Sequence, residues 1–130
     1  MDLYTAPEVA SSFQALYRNE NGLLDKMFAF WAVVAERFKN NPNVIGYDIL
    51  NEPWGVNYHD SSLLLSPSKF GRDTLYPIAK RGDQVVRKAN DQKLVFFEPS
   101  QFPDTLPFFG GITNPMSFPD TPGGSANLDK

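Results

Sequence analysis

The sequence alternates between amphipathic helical patterns and short apolar runs that are typical of buried strands. The spacing of apolar residues predicts helices over Ala6–Arg18, Leu23–Lys39 and roughly Leu75–Asn90. β-Branched and aromatic residues dominate Val44–Leu50 and Lys93–Glu98, which indicates parallel strands buried on both faces. The order helix, strand, long loop, helix, strand predicts an α/β fold with a parallel sheet or barrel.

The regions between and after these elements are less regular. A long loop is expected from Asn51 to Pro67 or beyond, and residues 100–130 contain Pro and Gly throughout without a clear period. A structureless stretch of that length is uncommon inside a compact domain. Two strands also leave the edges of a sheet unpaired. We therefore expect residues 1–130 to be an incomplete segment of one larger domain, with 100–130 as an irregular loop or truncated end.

Charge and composition exclude several classes of protein. The net charge is −3 with a pI of about 5.0, and no basic stripe stands out, so nucleic acid is not an expected partner. The chain has no cysteine, which excludes disulfides and thiol chemistry. The longest apolar stretch, Met27–Ala35, is too short to span a bilayer, and no signal peptide is visible at the start.

The first strand ends in polar residues that suit acid–base chemistry. Asn51 and Glu52 follow the apolar run, and Pro53 prevents the strand from continuing. Glycoside hydrolysis needs two carboxyl groups beside the scissile bond, one of them protonated at the working pH. Glu52 beside Trp54 fits the role of general acid/base, and Asn51 is able to donate a hydrogen bond to a sugar hydroxyl. The alternative is a simple strand-ending turn; the preceding strand and the following Trp54-Gly55 favour catalysis.

The segment Val44–Trp54 resembles strand four of glycoside hydrolase family 5, and within that family it is most similar to the endoglycoceramidases. Leu94–Pro99 resembles strand five. The resemblance implies a partial (β/α)8 TIM barrel whose two buried parallel strands have flanking helices, within one glycosidase catalytic domain. It implies a retaining mechanism that cleaves the glycan–ceramide linkage, with Glu52 as the acid/base and Asn51 at the 2-hydroxyl. It also implies a nucleophilic glutamate on strand seven, outside this chain.

Four other side chains near the strand ends have expected roles. We expect Glu98 to bind substrate or to support its neighbours on the rim, because a nucleophile on the adjacent strand approaches the sugar from the wrong side. Trp54 is expected to contact sugar, the alternative being that it covers the strand end. Asp48 is expected to form an ion pair or hydrogen bond in the barrel interior, and Tyr47 to pack against a helix.

The loops contain further candidates for contact with substrate. The lone histidine, His59, is expected to be exposed and inert, or else to line the cleft. Leu63–Leu65 favours a lipid-containing substrate. Loop aromatics at the substrate end are candidates to contact a ceramide tail, the alternative being that they are core residues without their cover: Phe70, Phe102, Phe108 and Phe109.

The expected partner is a carbohydrate or glycosphingolipid, with contact to a lipid surface and without a cofactor or metal. The resemblance implies a secreted or lysosome-like location. Two alternatives remain open. One is another polysaccharide hydrolase of the same family, cellulase-like in its substrate. The other is a non-catalytic truncated remnant, for which the missing nucleophile is the main argument.

Overall fold

A computed structural model of the chain describes residues 6–54, 67–89, 92–99 and 118–123. Helices and strands alternate along these residues. The elements are α1 (Pro7–Tyr17), α2 (Leu23–Phe38), β1 (Gly46–Asp48), α3 (Pro67–Phe70), a π-helical turn (Gly71–Leu75), α4 (Tyr76–Lys88) and β2 (Leu94–Phe96).

The predicted helices are present, and one of them begins earlier than expected. The first two begin and end within one residue of the predicted bounds. The third was expected from Leu75, but the helical segment begins at Pro67 and reaches α4 through the π turn Gly71–Leu75. A π turn is wider than an α turn and shifts the apolar spacing. The apolar residues before and after it therefore do not follow one α-helical period, and the pattern does not predict a continuous helix. Proline at the first position needs no N–H partner, so Pro67 suits the start.

The two strands form a parallel pair, with Gly46 opposite Leu94 and Asp48 opposite Phe96. One face of this pair carries the core. Tyr47 and Ile49 are buried against α2 and α4, and the Tyr47 ring meets the ring of Trp31 of α2 edge-on at 6.2 Å. The expected packing of Tyr47 against a helix is therefore confirmed. The buried members of the core are Leu24, Phe28, Ala35, Tyr47, Ile49, Ile78 and Val86.

The other face of the strand pair is open in the described part of the chain. Leu94 is 55% exposed and Phe96 is 42% exposed. The prediction that both strands are buried on both faces is thus wrong for these residues. The physical reason is that α2 and α4 pack on the Tyr47 side, which leaves Leu94 and Phe96 exposed on the opposite side among the described residues.

A tight turn fixes α1 against α2. Asn19, Asn21 and Gly22 all have positive φ angles, of 57°, 54° and 72°. The Asn19 side chain accepts a hydrogen bond from the backbone N–H of Asp25 at 3.0 Å and donates one to its carboxylate at 2.9 Å. Asparagine and glycine tolerate the left-handed conformation best, and the sequence predicts a break here, between the first two helices, which is confirmed. The turn sets the direction of α1, whose last residue is Tyr17.

One aromatic expected on a substrate-facing loop lies elsewhere. Phe70 is the last residue of α3 and is buried with Leu75, in contact with Tyr17 and Phe118. The loop prediction for Phe70 is therefore wrong, since the helix begins before it. His59, Leu63–Leu65, Phe102, Phe108 and Phe109 lie outside the described residues, as does most of 100–130. None of the described helices is long and apolar enough to cross a membrane.

Candidate active site

Where the chain leaves β1, exposed polar side chains lie between buried anchors. Ile49, Pro53 and Trp54 are buried, whereas Asn51 and Glu52 are exposed. Proline has no N–H with which to extend the pairing, so the chain turns away from the sheet here. Asn51 and Glu52 therefore lie at the carboxyl end of β1, which is the edge where barrel enzymes keep their catalytic groups.

Glu98 lies at the same edge of the sheet. It follows β2 by two residues, and β2 pairs with β1 in parallel register. The backbone N–H of Glu52 donates a hydrogen bond to Oε2 of Glu98, with an N–O distance of 2.7 Å. The structure thus brings the two predicted site residues together, through the backbone of one and the side chain of the other.

Glu52 has a left-handed backbone conformation, with φ of 42°. Side chains other than glycine rarely adopt this conformation, which costs on the order of 1–3 kcal/mol. Such a residue persists only where its surroundings determine its geometry. The hydrogen bond to Glu98 is one such determinant, because it stabilises the direction of the Glu52 N–H group.

Asp48 and Glu98 form a pair of neighbouring carboxyl groups. Partial burial raises the pKa of Asp48, and the hydrogen bond to Glu98 and the negative charge of Glu98 raise it further. Two carboxyl groups in contact are most stable when they share one proton. The expected hydrogen bond of Asp48 is present, with Glu98 as its partner, but Asp48 is exposed among the described residues rather than buried in an interior.

Trp54 is only 6% exposed, so its ring offers almost no surface on which a sugar could stack. The contact of Trp54 with sugar stays a prediction, as does the alternative that Trp54 covers the strand end. Its backbone carbonyl accepts a hydrogen bond from the hydroxyl of Tyr17 at 2.8 Å. Trp54 thus connects the turn after β1 to the last residue of α1.

Tyr17 is the residue near this turn that the sequence pattern did not single out. In the sequence it is one of several apolar positions on α1, and nothing in its spacing indicates a contact with residue 54. Its ring packs against Phe70 with centroids 5.4 Å apart. Burial raises the pKa of the Tyr17 hydroxyl, so the hydroxyl keeps its proton and remains a donor.

A small cavity lies beneath the rim. A cavity of about 20 Å³ lies beside Glu98, lined mainly by apolar side chains that include Pro53, Ile78 and Phe97. That volume accommodates about one water molecule and no sugar ring. Within the described ranges, no group of three or more acidic or histidine side chains is arranged to hold a metal ion.

Comparison with known proteins identifies relatives of this chain. Residues 8–128 match the family described as Cellulase (glycosyl hydrolase family 5). An endoglycoceramidase of Cyanea nozakii is 37% identical over 98 residues, which are 75% of this chain and 19% of that protein. An endoglycoceramidase of Hydra vulgaris is 34% identical over 97 residues, with the same two coverages of 75% and 19%.

A solved structure agrees with these matches. The crystal structure of an endogalactoceramidase superposes with a TM-score of 0.59 and 35% identity, over 75% of this chain and 20% of that chain. The chain spans about one fifth of the length of these relatives. The two parallel strands and their helices are part of a (β/α)8 barrel, as the sequence predicts. With the family match extending over nearly all of its length, this chain belongs to glycosyl hydrolase family 5.

Proposed function

We propose that residues 1–130 form part of the single catalytic domain of a retaining endo-glycosidase and carry its general acid/base, Glu52. The enzyme cleaves the linkage between the glycan and the ceramide of glycosphingolipids. Glu52 protonates the leaving oxygen and later deprotonates the attacking water. Asn51 donates a hydrogen bond to the sugar hydroxyl next to the reacting carbon.

The placement of Glu52 carries this proposal. Its side chain is exposed at the carboxyl end of β1, and its backbone is held in a rare conformation by a 2.7 Å hydrogen bond to Glu98. A general acid must reach the leaving oxygen in a defined position, and an exposed side chain on a determined backbone meets both requirements. A residue that only ended the strand would need neither feature.

The nucleophile is proposed to come from a part of the barrel outside this chain. Asp48 and Glu98 are the other carboxylates near Glu52 among the described residues, and each is engaged with the other. Glu98 also accepts the Glu52 N–H. A retaining pair has to approach the sugar from opposite sides, which residues on the same or adjacent strands do poorly.

The proposed substrate class rests on the relatives. Two of them are described as endoglycoceramidases, and the solved structure as an endogalactoceramidase. A substrate of this kind presents a glycosidic oxygen next to a two-chain lipid. The protein is therefore expected to work at a lipid surface, without a cofactor or metal.

The test is Glu52→Gln in the complete barrel protein that contains this chain. Glutamine keeps the size of the side chain but has no acidic proton, so hydrolysis of a ganglioside should fall by about 10²–10⁴-fold. A glycosyl substrate whose leaving group needs no proton, such as an aryl glycoside with an acidic phenol, should still form the glycosyl-enzyme in a measurable burst. Rates are measured as released phenol and as released intact glycan.

A matched control is Glu36→Gln on α2. Glu36 pairs with Lys39 at 2.7 Å on the surface and has a side chain 62% exposed, so this variant should keep wild-type turnover. Ganglioside hydrolysis by Glu52→Gln at the wild-type rate contradicts the assignment. The configuration of the freshly released glycan, followed by NMR, tests the retaining mechanism independently, since inversion is incompatible with it.

A second candidate is a cellulase-like polysaccharide hydrolase, which the description of the matched family favours. It uses the same Glu52 chemistry on a substrate without lipid. Parallel incubations with cello-oligosaccharides and with a ganglioside distinguish the two. A third candidate, a remnant without activity, predicts that neither substrate is cleaved by the complete protein and that Glu52→Gln changes nothing.

A further inference from the structure

The turn that carries Glu52 is held by hydrogen bonds on both sides. The backbone N–H of Glu52 donates to Oε2 of Glu98 at 2.7 Å. Two residues later, the backbone carbonyl of Trp54 accepts from the hydroxyl of Tyr17 at 2.8 Å. The two partners come from different elements, since Glu98 follows β2 and Tyr17 ends α1.

Both partners are themselves fixed by packing. The parallel register places Phe96 opposite Asp48, and Phe97 packs against the core, so the backbone that leads to Glu98 is determined. The Tyr17 ring lies against Phe70, which is buried with Leu75. The Tyr17 hydroxyl is therefore presented to the turn from the end of a helix, and the Glu98 carboxylate from two residues beyond a paired strand.

We propose that Glu98 and Tyr17 are positioning residues, which hold the Glu52–Trp54 turn so that the Glu52 side chain points at the leaving oxygen. This inference rests on the proposed function of Glu52. Neither residue is required to touch the substrate. Their effect passes through the backbone of residues 52–54.

The geometry predicts a large effect on catalysis. Glu52 has a φ of 42°, and a peptide released from such a conformation relaxes towards the common negative φ values. That rotation moves the Cα–Cβ bond and displaces the carboxyl group at the end of the side chain. A displacement of about 1 Å at a reacting group is enough to lower a rate about 100-fold.

The position of Glu98 also separates this role from direct binding of sugar. Its carboxylate already accepts the Glu52 N–H and is hydrogen-bonded to Asp48. A sugar hydroxyl would have to compete with both partners. Loss of a positioning residue lowers kcat and leaves KM nearly unchanged, whereas loss of a sugar contact raises KM.

The decisive comparison is Glu98→Gln against Glu98→Met in the complete barrel protein. The three side chains have the same length, but only glutamate and glutamine present an oxygen that accepts the Glu52 N–H. Glutamine can also donate to Asp48. We expect Glu98→Met to lower kcat on a ganglioside by about 100-fold with KM within about twofold, and Glu98→Gln to restore kcat to within about tenfold of wild type.

Tyr17→Phe tests the other side of the turn. It removes only the hydroxyl and keeps the ring against Phe70, so we expect a fall in kcat of about tenfold without a change in KM. Tyr76→Phe is the matched control, because the Tyr76 hydroxyl donates to Asp120 and not to the turn. Its kcat should equal that of wild type.

The outcomes separate this inference from the proposed function. Glu52→Gln is assayed beside these variants. If Glu52→Gln loses activity while Glu98→Met keeps the wild-type kcat, the positioning role is overturned and the proposed function is not. A raised KM with unchanged kcat in Glu98→Met overturns it in favour of sugar binding. Circular dichroism and the thermal midpoint establish that each variant is folded. If Glu98→Met is unfolded, the kcat of Tyr17→Phe decides, and equality with Tyr76→Phe overturns the inference.

Discussion

The protonation of Asp48 depends on the neighbouring carboxyl group of Glu98. Its pKa is raised above the ordinary 3.8 by partial burial and by its hydrogen bond to the neighbouring Glu98. A raised folded-state pKa means that protonated Asp48 is favoured in the folded protein. The stability this provides is fully present below pH 3.8 and is lost as the pH rises through the folded-state pKa.

This linkage predicts the effect of Asp48→Asn. Asparagine is neutral at every pH and still donates a hydrogen bond to Glu98. The variant therefore avoids the loss of stability that accompanies ionisation of Asp48. The variant should unfold at the same temperature as wild type in acid, and at a higher temperature near neutral pH. Thermal unfolding of both proteins from about pH 3 to about pH 8 measures the difference.

The control for this experiment is Asp73→Asn. Asp73 forms a surface pair with Arg72 at 2.9 Å, and surface pairs of this kind contribute little to stability. Its thermal midpoint should stay close to that of wild type. If Asp48→Asn raises the thermal midpoint by the same amount in acid and at neutral pH, protonation of Asp48 is not the cause of the stabilisation.

Some features of these residues are predictable from the sequence and others are not. Glu52 and Glu98 are predicted to share a rim because each follows a strand, and parallel strands end at the same edge. The left-handed φ of Glu52 and the bond from its N–H to Glu98 are not predictable in this way. They depend on the strand register and on the path of the turn, which no residue pattern encodes.

At the scale of elements, the strand pair depends on how closely β1 approaches its neighbours. A Cβ placed on Gly46 would lie 2.5 Å from the backbone oxygen of Leu94, and one placed on Gly82 would lie 3.1 Å from Cγ1 of Ile49. The first contact is with the backbone of β2, which cannot move without breaking the pairing. The second is with a side chain, which must shift by a few tenths of an ångström to admit the methyl group.

Alanine at these two positions should therefore have different effects. We expect Gly46→Ala to lower the free energy of unfolding by about 1–3 kcal/mol through overpacking. Gly82→Ala should be close to neutral, because alanine gains about 1 kcal/mol over glycine inside a helix and this offsets the tight contact. Urea unfolding of both variants measures the difference. If both variants lose the same free energy of unfolding, the conclusion that the closest approach lies between β1 and β2 is contradicted.

The elements also show where helical patterns mislead. Apolar spacing predicts α1 and α2 to within a residue, because each is a regular helix with one buried stripe. It misses the start at Pro67, since the π turn at Gly71–Leu75 changes the spacing partway along. Both strands are shorter than their apolar runs, because pairing extends over only three residues of each.

At the scale of the whole molecule, the described residues expose two apolar surfaces. One is the outer side of α2, where Phe30 is 60% exposed and Val33 is 69% exposed. The other is the open face of the strand pair, with Leu94 and Phe96. The sequence predicts that α2 needs neighbours on two sides, since Phe30 and Val33 lie off its main stripe. In a complete barrel, adjacent strands and helices cover such surfaces.

The 130-residue chain by itself should therefore self-associate at micromolar concentrations, because uncovered apolar surface drives aggregation. Replacing Phe30 and Val33 together with glutamine should weaken this association, whereas the matched pair Ala29→Gln and Ala32→Gln on the same exposed side of α2 should not. The second pair introduces the same polar groups but removes much less apolar surface. Size-exclusion chromatography with light scattering measures the mass. A monomeric wild-type chain with a cooperative unfolding transition would contradict this prediction.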